Sequence, residues 1–272
     1  MTDLAGLLAV LDLESIGKGR FRASHLDEGH GVVFGGQLLA QTVEAATRTI
    51  PDKELLSLHT VFARGGNFEE PLQIDVEVMA SGRSMASLTI TTNQSRGICT
   101  RSIALLHAPD ADRIRHGVDA PASDEPDRWP RRAGTPDFWD MRIVGDVDIM
   151  DPDLTGPAHL QVWSRFPDAP EGLALAQATA AYASDGFLIA TAMRPHAGVG
   201  QSMAHVSIAT TVLTQTLTFH EPFAATDWLL LDQRSTYAGR GRSHGVAEVF
   251  DVGGRLVASF IQDNMIRSVA GS

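Results

Sequence analysis

Apolar and polar positions alternate through 55–64, 71–80, 84–94 and 98–107, with Gly, Pro or Asn between the runs, which is the two-residue period of half-buried strands. Ahead of them, GGQLLAQTVEAATRTI (35–50) carries its apolar residues at helical spacing, and the opening MTDLAGLLAVLDLES has the pattern of an amphipathic helix. GKGRFRASHLDEGHGVV, between those two, follows neither period and reads as a loop. The second half repeats the order. HLQVWSRF (159–166) reads as a strand and 173–184 as a helix, followed by a polar, His- and Gly-containing excursion over 193–205. Strands are predicted at 207–220, 228–237, 243–251 and 255–267, the last two joined by a Gly253-Gly254 hairpin. Ala174, Ala176, Ala178, Ala180, Ala181 and Ala183 cover most of the circumference of the 173–184 helix, so a sheet can approach it on several sides and wrap it. Each half therefore reads as one helix enclosed by an antiparallel sheet, an α+β class.

The likeness of the halves extends to individual residues. A shift of 157 pairs Phe62 with Phe219, Asp75 with Asp232, Gly82-Arg83 with Gly239-Arg240, Gly97 with Gly254 and Ser102 with Ser259. The two helices share Leu-Ala-Gln (39–41 and 175–177) at a shift of 136. Internal duplication changes the reading of the whole fold. It divides the chain into an N-terminal unit (1–108), a linker (109–157) rich in Asp, Pro and Arg and long enough to cover a surface, and a C-terminal unit (158–272).

Composition narrows the partners. Thirty-three acidic against 22 basic residues give a formal charge of -11, which opposes extended contact with nucleic-acid phosphates. No run of about 18 apolar residues offers a membrane span, and the N-terminus lacks the basic start and cleavage site of an export signal, so a cytoplasmic location is expected. The single cysteine, Cys99, sits in a predicted strand and is read as a buried thiol without a catalytic role. RGRS (240–243) with Arg64 and Arg83 would suit a small anionic ligand if folding gathers them; taken singly, each reads as a solvated hairpin end.

Familiar catalytic motifs are missing. GQSMA (200–204) lacks the second glycine of a nucleophile elbow, and HExxH, paired CxxC and phosphate-loop patterns do not occur, so no metal or redox cofactor is expected. The differences between the repeats are more informative. Asp185 ends the second helix where the first has Thr49, and Gln262 stands in the last strand where the first copy has Leu105. Taken alone, Asp185 reads as an Asp-Gly helix stop with Gly186 left-handed, and Gln262 as an outward strand residue. Between them, the two-residue period places Thr210, Thr214, Thr216 and Thr218 on one strand face.

LLAVLDLESIGKGRFRA, VFGGQLLAQ, SLHTVFARGG, GRSMAS, LQVWSR, AYASD, FHEPF and LVASFIQDNMIR occur in this order along nearly the whole chain, which through them resembles the type II acyl-CoA thioesterases of the TesB class. The resemblance implies a double hotdog fold, two helix-wrapped sheets forming a pseudo-dimer, with acyl-CoA as substrate and further homo-oligomerisation common. It also implies a water-activating set of Asp, strand Thr or Ser, and Gln. AYASD carries the Asp onto Asp185 and LVASFIQ the Gln onto Gln262. The hydroxyl stays open: counting back from FHEPF reaches Val212, the Ile-Ala-Thr string selects Thr210, and Thr214 is a further option. The family's strand Asp-His pair is replaced by Thr214-Gln215. Hydrolysis of a fatty acyl-CoA thioester by direct water attack is the leading expectation, with Gly36 N–H at the oxyanion and Arg64 and Arg240 at the CoA phosphates. A non-catalytic acyl-CoA binder is the alternative; an enoyl-CoA hydratase ranks last, since no Asp-x-x-x-x-His pattern is present.

Overall fold

In the computed structural model, which describes residues 3–26 and 31–269, every segment with a sustained two-residue apolar period is a strand. The N-terminal half runs α1 (Leu4–Leu11), β1 (Glu14–Gly17), β2 (Arg20–Ala23), α2 (Gly35–Thr49), β3 (Glu54–Phe62), β4 (Leu72–Ser81), β5 (Met85–Gln94) and β6 (Gly97–His107). The remainder runs β7 (Asp140–Ile143), β8 (His159–Arg165), α3 (Leu173–Ser184), α4 (Leu188–Met193), β9 (Ile208–Phe219), β10 (Leu229–Gly239), β11 (Arg242–Asp251) and β12 (Leu256–Ser268). Three features depart from expectation. The stretch read as a loop before α2 contains β2, which pairs with β4, and its residues 27–30 lie outside the described residues. Only Phe21 and Ala23 of that strand are buried, too short an alternation to stand out. Helix α4 follows α3 almost at once, and β7, within 109–157, pairs with β8.

The strands form one 12-stranded sheet in the order β1-β2-β4-β5-β6-β3-β9-β12-β11-β10-β8-β7. The two half-sheets join edge to edge through β3 and β9. Across that seam His59 pairs with Thr216, two residues separated by the repeat shift of 157, and His59 Nδ1 lies 2.8 Å from Thr216 Oγ1. A residue facing its own repeat equivalent across an antiparallel seam marks a local twofold axis, so this is a pseudo-dimer with its axis at that pair. Joining the halves there removes two open edges from the middle of the molecule.

The sheet curls around α2 and α3, which pack on each other. Ala176, Ala178 and Ala181 are fully buried, as the alanine-rich circumference predicts. The glutamine of the repeated Leu-Ala-Gln is buried in both copies and anchors backbone: Gln41 donates to the Val10 and Ser24 carbonyls, and Gln177 to that of Leu55. Cys99 is 1 % exposed with Sγ 3.9 Å from Gln94 Oε1, and burial raises its thiol pKa, which keeps it protonated and unreactive at neutral pH.

Candidate active site

Helix α2 starts without a side-chain cap of its own: Phe34 precedes it and makes no capping hydrogen bond. The other half of the molecule supplies one. Gly36 N–H donates to Asp185 Oδ2 at 3.1 Å across 149 residues of sequence, so the carboxylate at the end of α3 meets the positive end of the α2 dipole. A Cβ on Gly35 would lie 2.7 Å from Asp185 Oδ2, and one on Gly36 would lie 2.3 Å from the Tyr182 carbonyl oxygen. The glycine pair is what lets the two helices come this close. Gly186 is not left-handed, since the chain runs on through Phe187 into α4 rather than stopping at an Asp-Gly turn. The Gly36 N–H, expected to face the thioester oxygen, is thus engaged by the carboxylate.

Gln262 is fully buried on the inner face of β12, and its Nε2 lies 3.5 Å from Asp185 Oδ1. The same Nε2 donates to Gln215 Oε1 at 2.8 Å, and Gln215 in turn donates to the Ser184 hydroxyl. Gln215 and Gln262 face each other in register across β9 and β12, and both are 0 % exposed. A chain of amides therefore links the last strand, the seam strand and the end of α3, fixing Gln262 against the carboxylate. The role of Gln215 was not read from the sequence, where it counted only as half of a lost Asp-His pair. A glutamine one residue after Thr214, and so on the opposite strand face, was the signal available.

The threonines divide. Register slips opposite Asp263 and Asn264, so that Gln215 and Thr214 pair with Gln262 and Asp263 while Val212, not Leu213, pairs with Asn264. This bulge flips the face of everything before it. Thr214 points outward, its hydroxyl 3.1 Å from Asp263 Oδ2, away from Gln262, and so leaves the proposed water-activating set. Thr210 points inward and is 6 % exposed, but it pairs with Ile266, four residues beyond Gln262 and about 13 Å along the strand at about 3.3 Å per residue. Val212 occupies the inward position nearest the amide pair.

Arg64 follows β3, and Arg240 lies in the β10–β11 turn with φ 55°, beside Gly241 at φ 73°. Antiparallel pairing puts the end of β3, the start of β9, the end of β12 and the start of β11 at the same end of the sheet. Arg64, Arg240, Arg242 and Arg267 are gathered there, and among the described residues none makes a side-chain hydrogen bond or ion pair. Arg83 is at the opposite end, in the β4–β5 turn beside Met85, which pairs with His107, and it does not join the cluster.

Below the amide row, Thr179, Ala180, Ala183, Leu217, Phe219, Phe223, Leu231, Val249, Ala258 and Phe260 line an apolar pocket. Leu217 and Phe260 are each two residues from Gln215 and Gln262, so the pocket continues from the polar row along the same strand faces. It holds only about 20 Å³, room for about one water. Among the described residues no group of His, Cys, Asp and Glu is placed to hold a metal ion, and no helix is long and apolar enough to cross a membrane.

The two-unit fold agrees with the family comparisons. Residues 23–107 match the model of the acyl-CoA thioesterase N-terminal domain and residues 117–266 that of the acyl-CoA thioesterase C-terminal domain. The chain is 28 % identical to acyl-CoA thioesterase 2 of Haemophilus influenzae, covering 97 % of this chain and 98 % of that protein. Its structure resembles that of acyl-CoA thioesterase II TesB2 from Mycobacterium marinum at a TM-score of 0.83 and 30 % identity, covering 98 % of this chain and all of that one. A hot dog fold protein from Alicyclobacillus acidocaldarius, 19 % identical, superposes at a TM-score of 0.79 over 97 % and 98 % of the two chains and supports the fold. Two helix-wrapped half-sheets, matched by both domain models, show that this chain belongs to the TesB-like type II acyl-CoA thioesterase family, with a double hotdog fold.

Proposed function

We propose that the chain hydrolyses acyl-CoA thioesters to the free acid and CoA by direct attack of water. The observation that carries this reading is the Asp185 carboxylate held against the Gln262 amide at 3.5 Å, beside the apolar pocket. Asp185 takes one proton from the water as its oxygen bonds to the thioester carbon, and the same proton passes to the CoA thiolate as the C–S bond breaks. Gly36 N–H donates to the Asp185 carboxylate, and the positive end of the α2 dipole favours its negative charge. Developing charge on the thioester oxygen is met at the same helix start, where the Gly35 N–H makes no hydrogen bond among the described residues, beside the engaged Gly36. The acyl chain lies along the Leu217–Phe219 and Ala258–Phe260 faces, which must part to admit it.

A thiol-release assay with acyl-CoAs of several chain lengths tests the reading: steady CoA release supports it, and tight binding without release overturns it. Gln262→Ala removes the amide that positions the water and is expected to lower kcat by about 10²-fold while KM changes little. Equal kcat for the variant and the parent would remove Gln262 from the site.

At the arginine end of the sheet we place the phosphates of CoA. A left-handed Arg240 costs roughly 1 kcal/mol that an asparagine in that turn would avoid. Arg240→Asn should therefore leave the fold intact or firmer but raise KM for acyl-CoA about 5-fold, through loss of one exposed charge-assisted contact. The corresponding acyl-pantetheine, which lacks the nucleotide, should show no change in KM, and an equal rise for both substrates would move the phosphates elsewhere.

A further inference from the structure

Val212 leaves the water short of a partner. The strand hydroxyl that the family resemblance calls for is replaced at this inward position by an isopropyl group that neither donates nor accepts, and Val212 is 8 % exposed. Directly across the ladder stands Asn264, which is 0 % exposed and two residues past Gln262 on the same inner face of β12. Side chains paired this way have Cβ atoms about 5 Å apart, so a carboxamide, longer than a threonine side chain, reaches into the space beside Val212.

The hydrogen bonding of Asn264 is half complete. Its Nδ2 donates to Ser243 Oγ at 3.3 Å, while Oδ1 is buried without a partner, as is Oε1 of Gln262. Buried polar atoms are almost always partnered. Two such acceptors on one strand face, about 6.6 Å apart at their backbones, call for a guest that brings O–H donors, and water fits.

We propose that Asn264 is a catalytic residue that replaces the missing strand hydroxyl: its Oδ1 accepts the O–H of the attacking water that is not given to Asp185. Held by its two O–H groups between Asp185 and the Asn264 oxygen, the water turns a lone pair toward the thioester carbon. The C–O bond then forms as in the general reaction, and the O–H held by Asn264 stays with the acid product. This assignment rests on the hydrolytic reading and adds a specific residue to it.

The test combines kcat, KM and thermal unfolding for Asn264→Leu, Asn264→Ala, Val212→Thr and the two double variants, with Asn264→Ala serving where the larger side chain does not fold. Each Asn264 variant is expected to lose about 10- to 100-fold in kcat with KM within about twofold. Val212→Thr, added to either, restores most of that loss by returning a hydroxyl from the facing strand. A purely structural asparagine would lower the unfolding temperature and would not be rescued by a threonine across the ladder. Unchanged kcat in the Asn264 variants, or no recovery on adding Val212→Thr, overturns the assignment while leaving hydrolysis standing; a parent chain that releases no thiol overturns both.

Discussion

Asp185→Asn is expected to lower kcat for acyl-CoA hydrolysis by about 10³-fold, the usual worth of a positioned general base. The asparagine has nearly the same shape and can still accept from Gly36 N–H, so the α2–α3 contact survives. What it loses is the capacity to take a proton and the negative charge at the helix start, worth about 1 kcal/mol. The unfolding temperature should accordingly fall by only a few degrees while turnover nearly disappears. Thiol release under saturating substrate, with melting followed in parallel, checks both halves of the expectation. A variant within threefold of the parent rate would show that the base lies elsewhere.

Gly36→Ala should produce the largest loss of stability of any single-methyl change at the site. The added Cβ would lie 2.3 Å from the Tyr182 carbonyl oxygen and 2.5 Å from Phe34 Cε1. The phenyl ring can turn, but the carbonyl belongs to α3 and moves only if the two central helices separate. Phe34, Phe138, Trp139 and Phe166 all make edge contacts with Tyr182, so separation disturbs a whole aromatic cluster. We expect a cost of about 3 kcal/mol, at the upper end for overpacking, together with loss of activity as Asp185 is drawn away from Gln262. Denaturant unfolding with an unchanged midpoint would mean that the helices are less tightly apposed than described.

Much of the molecule could be read from its residues. The alanine-covered circumference of 173–184 demanded a wrapped helix, and α3 has the predicted limits. The long strands followed from alternation because each buries one face, and that requirement acts over a few neighbouring residues. Short edge strands such as β2 bury two side chains and leave almost no periodic trace. Comparing the repeats singled out Asp185 and Gln262, and these are the two side chains that folding brings together. Thr214 went the other way: strict alternation placed it with Thr210, and one extra residue in β9 reversed their faces.

The amino-acid sequence by itself therefore determined the two-unit architecture, the wrapped helices and which polar residues are peculiar to the C-terminal half, because those follow from local periodicity and from comparing one half with the other. Only the tertiary structure decided that Asp185 caps the helix of the opposite half, that Gln215 braces Gln262, and that Val212 and Asn264 face each other beside them. Those pairings depend on how closely two helices approach and on the register of two strands, quantities set by the packing of the whole core and carried by no single stretch of chain.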